Sequence, residues 1–356
     1  MNKIWKYIAY GINSLHTQYA VPTMLGVCVT SKCNIKCVYC MRESFIPPGD
    51  KITLEQLKGV LKKAPYIKGV CIMGLCEPLM HPEIKEMLNW LKKNGYSISL
   101  TTNGTIKIDD DMFQTLRNVD DFVISIDTTN PKTFKYLRGG AEFKKVWDNF
   151  KFIIQSKKDY GLGRYDNPPM HINAVITKDN ITQMEDLIKA FEPYYNDITY
   201  LMVDPVSRPD YSKDYPLAVD SRALGKFIEK FKAVASESPV QIMGLDYMLD
   251  QSTNWSECPL SWQSPFIEPN GDVYFCYGYN EIAGNIFKEP LIKIWNNKKA
   301  RDFRKKLKSN KPPLEQCHYC NFARKGWQGK GQYSTKNEDV SYVKRNKIDN
   351  STTRRR

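Results

Sequence analysis

An α/β fold built on an open parallel sheet is the class this 356-residue sequence predicts, from two observations. Short apolar runs of strand length recur at 23–29, 69–73, 96–101, 122–126, 171–176 and 198–203. Between them lie longer amphipathic stretches near 53–64, 82–94, 109–118, 142–158 and 181–192. Strand and helix in alternation imply parallel strands joined by right-handed crossovers. Six units are too few to close an eight-unit ring, so the expected architecture is a partial (β/α)6, TIM-like barrel, open and curved.

Several helices start behind a capping residue: Thr53, Asp109 and Asn180 stand at N-cap positions. The rhythm stops after a helix at about 220–236, and residues 240–330 turn rich in aromatics, Pro, Gly and Cys. There the segment from Ile267 to Cys276 reads as a β-hairpin, with Asn270-Gly271 expected to supply both positive-φ positions of a tight turn. The expected organisation is an N-terminal extension (1–22), the barrel (23–239), a small cysteine-rich auxiliary domain (240–330) and a basic tail (331–356) too poor in apolar residues to pack. Ile4, Trp5, Tyr7, Ile8 and Tyr10 give the extension an apolar stripe that packs on its own domain or lies on a membrane or partner.

Hydrophobic residues at 42% and charged residues at 26% exclude collagen, wholesale disorder and a disulfide-stapled miniprotein. No apolar run approaches the roughly 18 to 20 residues that span a bilayer. Lys6, Asn13, His16 and Gln18 interrupt any leader-like segment, so a cytoplasmic location is expected and a membrane partner is not. The net charge is +13, but residues 286–311 carry 10 basic and 2 acidic side chains and residues 341–356 carry 6 and 1, which leaves the remainder neutral. Without an accompanying nucleic-acid motif, these charges read as solubility rather than as nucleic-acid contact.

Ten cysteines without a secretory signal point to metal or redox chemistry. Cys33-x3-Cys37-x2-Cys40 places three thiolates on a loop after the first strand, where parallel β/α folds keep their chemistry. A 4Fe-4S cluster normally takes four cysteines, so three leave one iron open to another ligand. Cys258, Cys276 and the pair Cys317-x2-Cys320 form a second set, four soft ligands that suit zinc or an iron-sulfur cluster. Cys28 and Cys71 lie within strands and read as small buried hydrophobes.

The segment Thr30-Ser31-Lys32-Cys33-Asn34-Ile35-Lys36-Cys37-Val38-Tyr39-Cys40 resembles the signature of the radical S-adenosylmethionine enzymes. The resemblance implies a 4Fe-4S cluster held by Cys33, Cys37 and Cys40, whose open iron chelates S-adenosyl-L-methionine, with Tyr39 packed near the adenine. Met73-Gly74-Leu75-Cys76-Glu77-Pro78 is similar to the family's Gly-Gly-Glu-type motif, in which the backbone and the Glu77 carboxylate hold the methionyl amine. Thr102-Asn103-Gly104 and Ser125-Ile126-Asp127 resemble the ends of the third and fourth strands. Asn103 and Ser125 are thereby implied at the cofactor, and Arg138 and Asn173, by position, at its carboxylate or ribose. Cys76 stands where the family usually has glycine. It is either a small residue tolerated at negative φ or a thiol that donates a hydrogen atom. Residues 258–320, with Gly284-Asn285-Ile286 and Leu291-Ile292-Lys293-Ile294-Trp295, resemble the SPASM extension in its single-cluster twitch form, which implies one auxiliary 4Fe-4S cluster on Cys258, Cys276, Cys317 and Cys320.

Such an enzyme abstracts a hydrogen atom from an unactivated C-H bond, and the auxiliary cluster takes up an electron. Net oxidation also needs a base, for which Asp127, Asp204 and Glu43 are the carboxylates nearest the strand ends. The short segment ahead of the first strand favours a small molecule, such as a sugar or nucleoside, over a leader-dependent peptide. Peptide or protein modification is the enzymatic alternative, and a non-catalytic iron-sulfur or zinc electron carrier is the alternative of another class. A flavodoxin- or ferredoxin-type donor is the implied protein partner.

Overall fold

The computed structural model describes residues 18–43, 49–205, 221–244, 255–258, 260–277, 281–314 and 317. The apolar stripe of residues 4–10, Cys320 and the tail 331–356 lie outside the described residues. The six expected strands are β1 (Met24–Val27), β2 (Gly69–Ile72), β3 (Ser97–Thr102), β4 (Asp121–Ser125), β5 (Met170–Ile176) and β6 (Ile198–Pro205). All pair in parallel and in sequence order. Helices α1 (Leu54–Lys63), α2 (Ile84–Lys93), α3 (Asp110–Leu116), α4 (Pro131–Leu137), α5 (Phe143–Asp159), α6 (Met184–Phe191) and α7 (Ser221–Glu237) connect them. The sequence reading missed α4, although its start is chemically marked. Asn130 Oδ1 accepts from Lys132 N at 3.0 Å and Thr133 N at 3.1 Å, and Pro131 fits the first turn.

Thr53 forms a full capping box with Gln56, and Asp109 Oδ1 accepts from Met112 N at 2.9 Å. Asn180 departs from its expected role. It stands at the N-cap of the 3-10 turn Ile181–Gln183 but makes no capping bond; its Oδ1 accepts from Thr177 N at 2.7 Å and its Nδ2 donates to the carbonyls of Asp127 (3.0 Å) and Val175 (2.8 Å), fastening the ends of β4 and β5.

Beyond residue 239 the parallel sheet gains β7 (Ile242–Met243) on β6, a two-residue strand too short to carry a period. The C-terminal region then joins the opposite edge. After α8 (Leu260–Gln263), strand β8 (Phe266–Ile267) pairs in parallel with β1, and β9 (Asp272–Tyr274) and β10 (Ile282–Asn285) extend the sheet antiparallel. The order is therefore β10-β9-β8-β1-β2-β3-β4-β5-β6-β7, one sheet rather than two. The hairpin turn differs from the tight form expected. Gly271 alone has positive φ (+86°), Gly271 N donates to Glu268 O at 2.8 Å, and the Asn270 side chain bonds Asp272 instead. Helices α9 (Leu291–Trp295) and α10 (Lys298–Lys308) close the region. The buried Arg304 of α10 donates to the carbonyls of Ser261 (2.7 Å), Trp295 (2.7 Å) and Gln18 (2.9 Å).

Strand register separates two chemically different faces. Leu25, Val27, Val70, Ile72, Ile98, Leu100, Phe122, Ile124, Ile172, Ala174, Leu201 and Val203 share one face and are fully enclosed. That face is apolar and carries the helices. The other bears Ser99, Thr101, Asp121, Ser125, His171, Asn173, Tyr200, Met202 and Asp204. A polar inner wall under an aliphatic outer one is what a partial barrel needs when its lumen holds ligand rather than core.

Candidate active site

The cysteine loop leaves β1 at its C-terminal end and is held from several sides. Ser31 N donates to Asp50 O (2.8 Å), Glu77 N to Lys32 O (2.9 Å), and Val38 N to Leu137 O (3.0 Å). The Asn103 amide donates to Asn34 Oδ1 (3.0 Å), and Asn34 Nδ2 donates to Thr105 Oγ1 (2.7 Å). Asn103, expected at the cofactor, thus tethers the cluster loop to the end of β3. Gly139 (φ +55°) lets α4 end against the loop, where a Cβ would lie 2.0 Å from Lys36 O. The sequence reading stopped at Arg138 and passed over this glycine.

Within the loop the three thiols are electrostatic neighbours. Burial pushes Cys37 up to about 12, with Cys40 and Cys33 adding to the effect, and burial also raises Cys33. Ligation must displace those protons, which a cationic cluster does and an empty loop does not. Among the described residues no three His, Cys, Asp or Glu side chains stand close enough to share a single metal ion. A cubane is wider than an ion and its thiolates are correspondingly farther apart, so three soft donors on one clamped loop fit an iron-sulfur group.

Asp127, Arg138 and Tyr39 form one buried unit. Arg138 Nη2 donates to Asp127 Oδ1 at 2.7 Å, its Nε lies 2.7 Å from Oδ2, and Tyr39 Oη donates to Oδ2 at 2.5 Å. Val175 N adds a donor at 3.0 Å. Burial alone would lower the Arg138 guanidinium, but the surrounding negative groups, Asp127 first, hold it above its ordinary value. Burial also keeps Tyr39 protonated, so it donates. Asp127, considered above as a base, is the counter-ion of this unit and its lone pairs are taken. Arg138 faces Asp127 with its fork, and its guanidinium lies 5.6 Å from the Tyr39 ring centroid.

Glu77 is also fully enclosed. Its Oε1 accepts from Leu79 N (3.0 Å) and Thr102 Oγ1 (2.7 Å), and its Oε2 from Asn103 N (2.7 Å). Burial raises its pKa while these donors oppose the rise. The carboxylate expected to hold a methionyl amine therefore ties the end of β3 to the loop after β2. Gly74 takes φ +135°, which side-chain-bearing residues rarely adopt, and a Cβ there would also meet Cys28 and Phe266 at 3.0 Å. Cys76 has negative φ and packs on the apolar cluster of Cys28, Phe266 and Tyr274, within hydrogen-bonding reach of the Cys28 thiol.

Ser125, the last residue of β4, stands in register beside Asn173 in the middle of β5. Asn173 Oδ1 is buried without a hydrogen-bond partner among the described residues, an acceptor suited to a ligand hydroxyl or amine. One step deeper, His171 Nε2 lies 2.8 Å from Asp121 Oδ1, Ser99 Oγ donates to Asp121 Oδ2 at 2.7 Å, and the imidazole stacks on Tyr200 at 4.1 Å. This wall escaped the sequence reading because its members come from four strands. Asp204 ends the wall on β6, where burial pushes its carboxyl up to about 7. Glu43 closes the 3-10 turn Met41–Glu43.

Of the second cysteine set, Cys258, Cys276 and Cys317 are among the described residues. Strand β8 runs parallel to β1, so Cys258 ahead of it and Cys276 beyond the antiparallel β9 both fall toward the N-terminal end of β1. Trp255 links two of the set. Its carbonyl accepts from Cys258 N at 3.2 Å, and its Nε1 donates to Cys317 O at 2.9 Å.

Residues 27–172 match the family model of the Radical SAM superfamily, and residues 258–321 match that of SPASM, an iron-sulfur cluster-binding domain. One similar protein is the tungsten-containing aldehyde ferredoxin oxidoreductase cofactor-modifying protein of Pyrococcus furiosus, 25% identical over 170 residues, 45% of this chain and 46% of that one. Another is the AdoMet-dependent heme synthase of Methanosarcina barkeri, 26% identical over 329 residues, 85% of this chain and 89% of that one. The chain thus spans about half of the first relative and most of the second. Among solved structures, Streptococcus suis SuiB bound to its precursor peptide SuiA has a TM-score of 0.67 at 19% identity, covering 83% of this chain and 69% of that one. Native anSMEcpe with AdoMet and a peptide has 0.63 at 21%, covering 85% and 88%.

Proposed function

Because residues 27–172 make this chain a member of the Radical SAM superfamily and residues 258–321 give it a SPASM domain, we propose that it oxidises a small polar molecule, such as a sugar or nucleoside, at an unactivated C-H bond. It is an enzyme whose cofactors are S-adenosyl-L-methionine and iron-sulfur clusters. When bound, S-adenosylmethionine on the three-cysteine cluster supplies hydrogen-atom abstraction, and the SPASM cluster supplies a one-electron sink. Cys33, Cys37 and Cys40 hold the first cluster; Cys258, Cys276, Cys317 and Cys320 hold the second. Ser125, Asn173 and the backbone around Gly74 receive the S-adenosylmethionine, while Glu77, Asn103 and Gly139 fix the loops that do so.

The observation that carries the substrate class is the polar inner wall. Ser99, Asp121, His171, Tyr200 and Asp204 share the inner face of the sheet, and a hydroxyl-rich molecule finds partners there. Asp204 is the proton acceptor in this reading. A carboxyl near 7 is half ionised at neutral pH, and among the described residues Asp204 has no ion-pair partner, whereas Asp127 is locked to Arg138. A second reading, modification of a peptide or protein, is favoured by the two structural neighbours solved with peptides, a likeness of fold.

The test is anaerobic reconstitution with iron and sulfide, followed by 5′-deoxyadenosine analysis after dithionite addition. About eight irons per chain and release of 5′-deoxyadenosine, both reduced in Cys37→Ser, support the proposal. Pools of nucleosides, sugars and peptides then compete, and the class that raises 5′-deoxyadenosine yield identifies the substrate. Stimulation by peptides alone would replace the first reading with the second.

A further inference from the structure

The electron that this oxidation leaves on the auxiliary centre must go to something outside the chain, and the surface beside that centre is strongly basic. Helix α10 turns Ala300, Phe303, Arg304 and Leu307 inward and leaves Lys305, Lys306 and Lys308 exposed, with Lys311 just beyond its end. Lys298 pairs with Asp302 at 2.7 Å and Lys299 lies 3.8 Å from Glu281. Among the described residues, Lys305, Lys306, Lys308 and Lys311 have no carboxylate within ion-pair distance. Asp302, held below the usual carboxylate range by Lys298 first and then by Lys305 and Arg301, offsets only part of this charge, and the excess of like charge on one short segment favours an acidic partner.

The buried side of the same helix touches the neighbours of the auxiliary cysteines. Phe303 packs on Phe275, the residue before Cys276, with ring centroids 4.9 Å apart. Asn310, at the end of the helix, accepts from Trp255 N at 2.9 Å, and Trp255 holds the backbones of Cys258 and Cys317. The exposed side is thus separated from Phe275 and Trp255, the neighbours of Cys276 and Cys258, by the thickness of one helix, about 10 to 12 Å.

We infer that the basic face of α10 with Lys311 is the docking surface for an acidic one-electron carrier protein that exchanges electrons with the auxiliary cluster. This rests on the oxidative reading above. The balance is then complete. One electron from the reduced three-cysteine cluster would cleave S-adenosylmethionine to methionine and the 5′-deoxyadenosyl radical; the substrate would lose a hydrogen atom to that radical, a proton to the base and one electron to the auxiliary cluster; the carrier would accept that electron, and a reduced one-electron carrier of the same class would restore the three-cysteine cluster.

The experiment uses the full chain with both clusters reconstituted and an acidic flavodoxin as the probe. Electron exchange between the auxiliary cluster and the flavodoxin is followed by stopped-flow absorbance and frozen-quench EPR. The rate should fall at least about tenfold when salt rises from about 20 to 300 mM. It should fall as far at low salt in the variant combining Lys305→Glu, Lys306→Glu, Lys308→Glu and Lys311→Glu. Iron content, circular dichroism and reduction by dithionite should match the parent, which separates lost docking from lost folding; single lysine changes serve if the quadruple variant loses iron. An unchanged flavodoxin rate in an iron-replete variant overturns the inference, as does a lysine-dependent affinity for nucleic acid with flavodoxin exchange unaffected. Failure of the oxidative reading is a separate result, since it appears as absent substrate turnover while flavodoxin exchange persists.

Discussion

Gly139 lies directly against the Lys36 carbonyl, so close that a β-carbon on it would stand 2.0 Å from that oxygen. The contact joins the end of α4 to the middle of the cysteine loop, where Val38 N also donates to Leu137 O. Gly139→Ala should therefore push the loop away and lower iron from about eight to about four per chain, the auxiliary cluster remaining. Gly140 also has positive φ (+95°) but faces open space, so Gly140→Ala should bear only backbone strain and keep its iron. Equal iron loss in both variants would assign the effect to strain rather than to the contact.

Asp127 is the centre of a buried charge unit, and removing its charge strands Arg138. Asp127→Asn should destabilise the fold by about 3 to 5 kcal/mol in urea unfolding, the cost of leaving a buried guanidinium unpaired. Tyr39→Phe removes one of several donors to the same carboxylate and should cost about 1 kcal/mol. A mild effect of Asp127→Asn on stability, with complete loss of activity in a fully loaded sample, would instead restore Asp127 as a catalytic base.

Glu77 accepts three donors and offers none, which only a carboxylate does. In Glu77→Gln an amide N-H must face Leu79 N and Thr102 Oγ1 or else Asn103 N. The expected cost is about 1 to 3 kcal/mol, with weaker S-adenosylmethionine binding because Asn103 and the cluster loop shift together. Calorimetric titration of the reconstituted variant checks this; binding at parental affinity would mean that the β2–β3 tie does not position the cofactor.

The alternation of strands and helices was legible in the sequence because each strand is apolar on its outer face and each helix amphipathic. The short elements were not. β7 and β8 have two residues each, and β8 is held from both sides, parallel to β1 and antiparallel to β9. The spacing of Cys33, Cys37 and Cys40 is local and readable. The links that hold them, Lys36 to Gly139 and Asn34 to Asn103, cross about 70 to 100 residues and carry no sequence period. The same holds for the inner wall, where His171, Asp121 and Ser99 meet through strand register alone. Motif and position mark Glu77 and Arg138 as cofactor contacts but do not reveal the bonds they make within the fold, Glu77 to Thr102 and Asn103 and Arg138 to Asp127.

Asp204 couples stability and activity to pH with opposite signs. Its carboxyl is pushed up to about 7 by burial, whereas in the unfolded chain it titrates near 3.9. Between those values the native state binds the extra proton, so stability is full below about pH 4 and is lost as pH rises through about 7, by roughly 2 to 4 kcal/mol. The ionised fraction needed to accept a substrate proton grows over the same upper range, so oxidation should rise to a plateau above about pH 7 while the fold weakens. Asp204→Asn should flatten the stability profile and abolish the rise in turnover, leaving 5′-deoxyadenosine formation without substrate unchanged. Urea unfolding from pH 5 to 8, run beside product formation on one preparation, reads both slopes. Persistence of the stability slope in Asp204→Asn would place the titrating group elsewhere and remove Asp204 as the base.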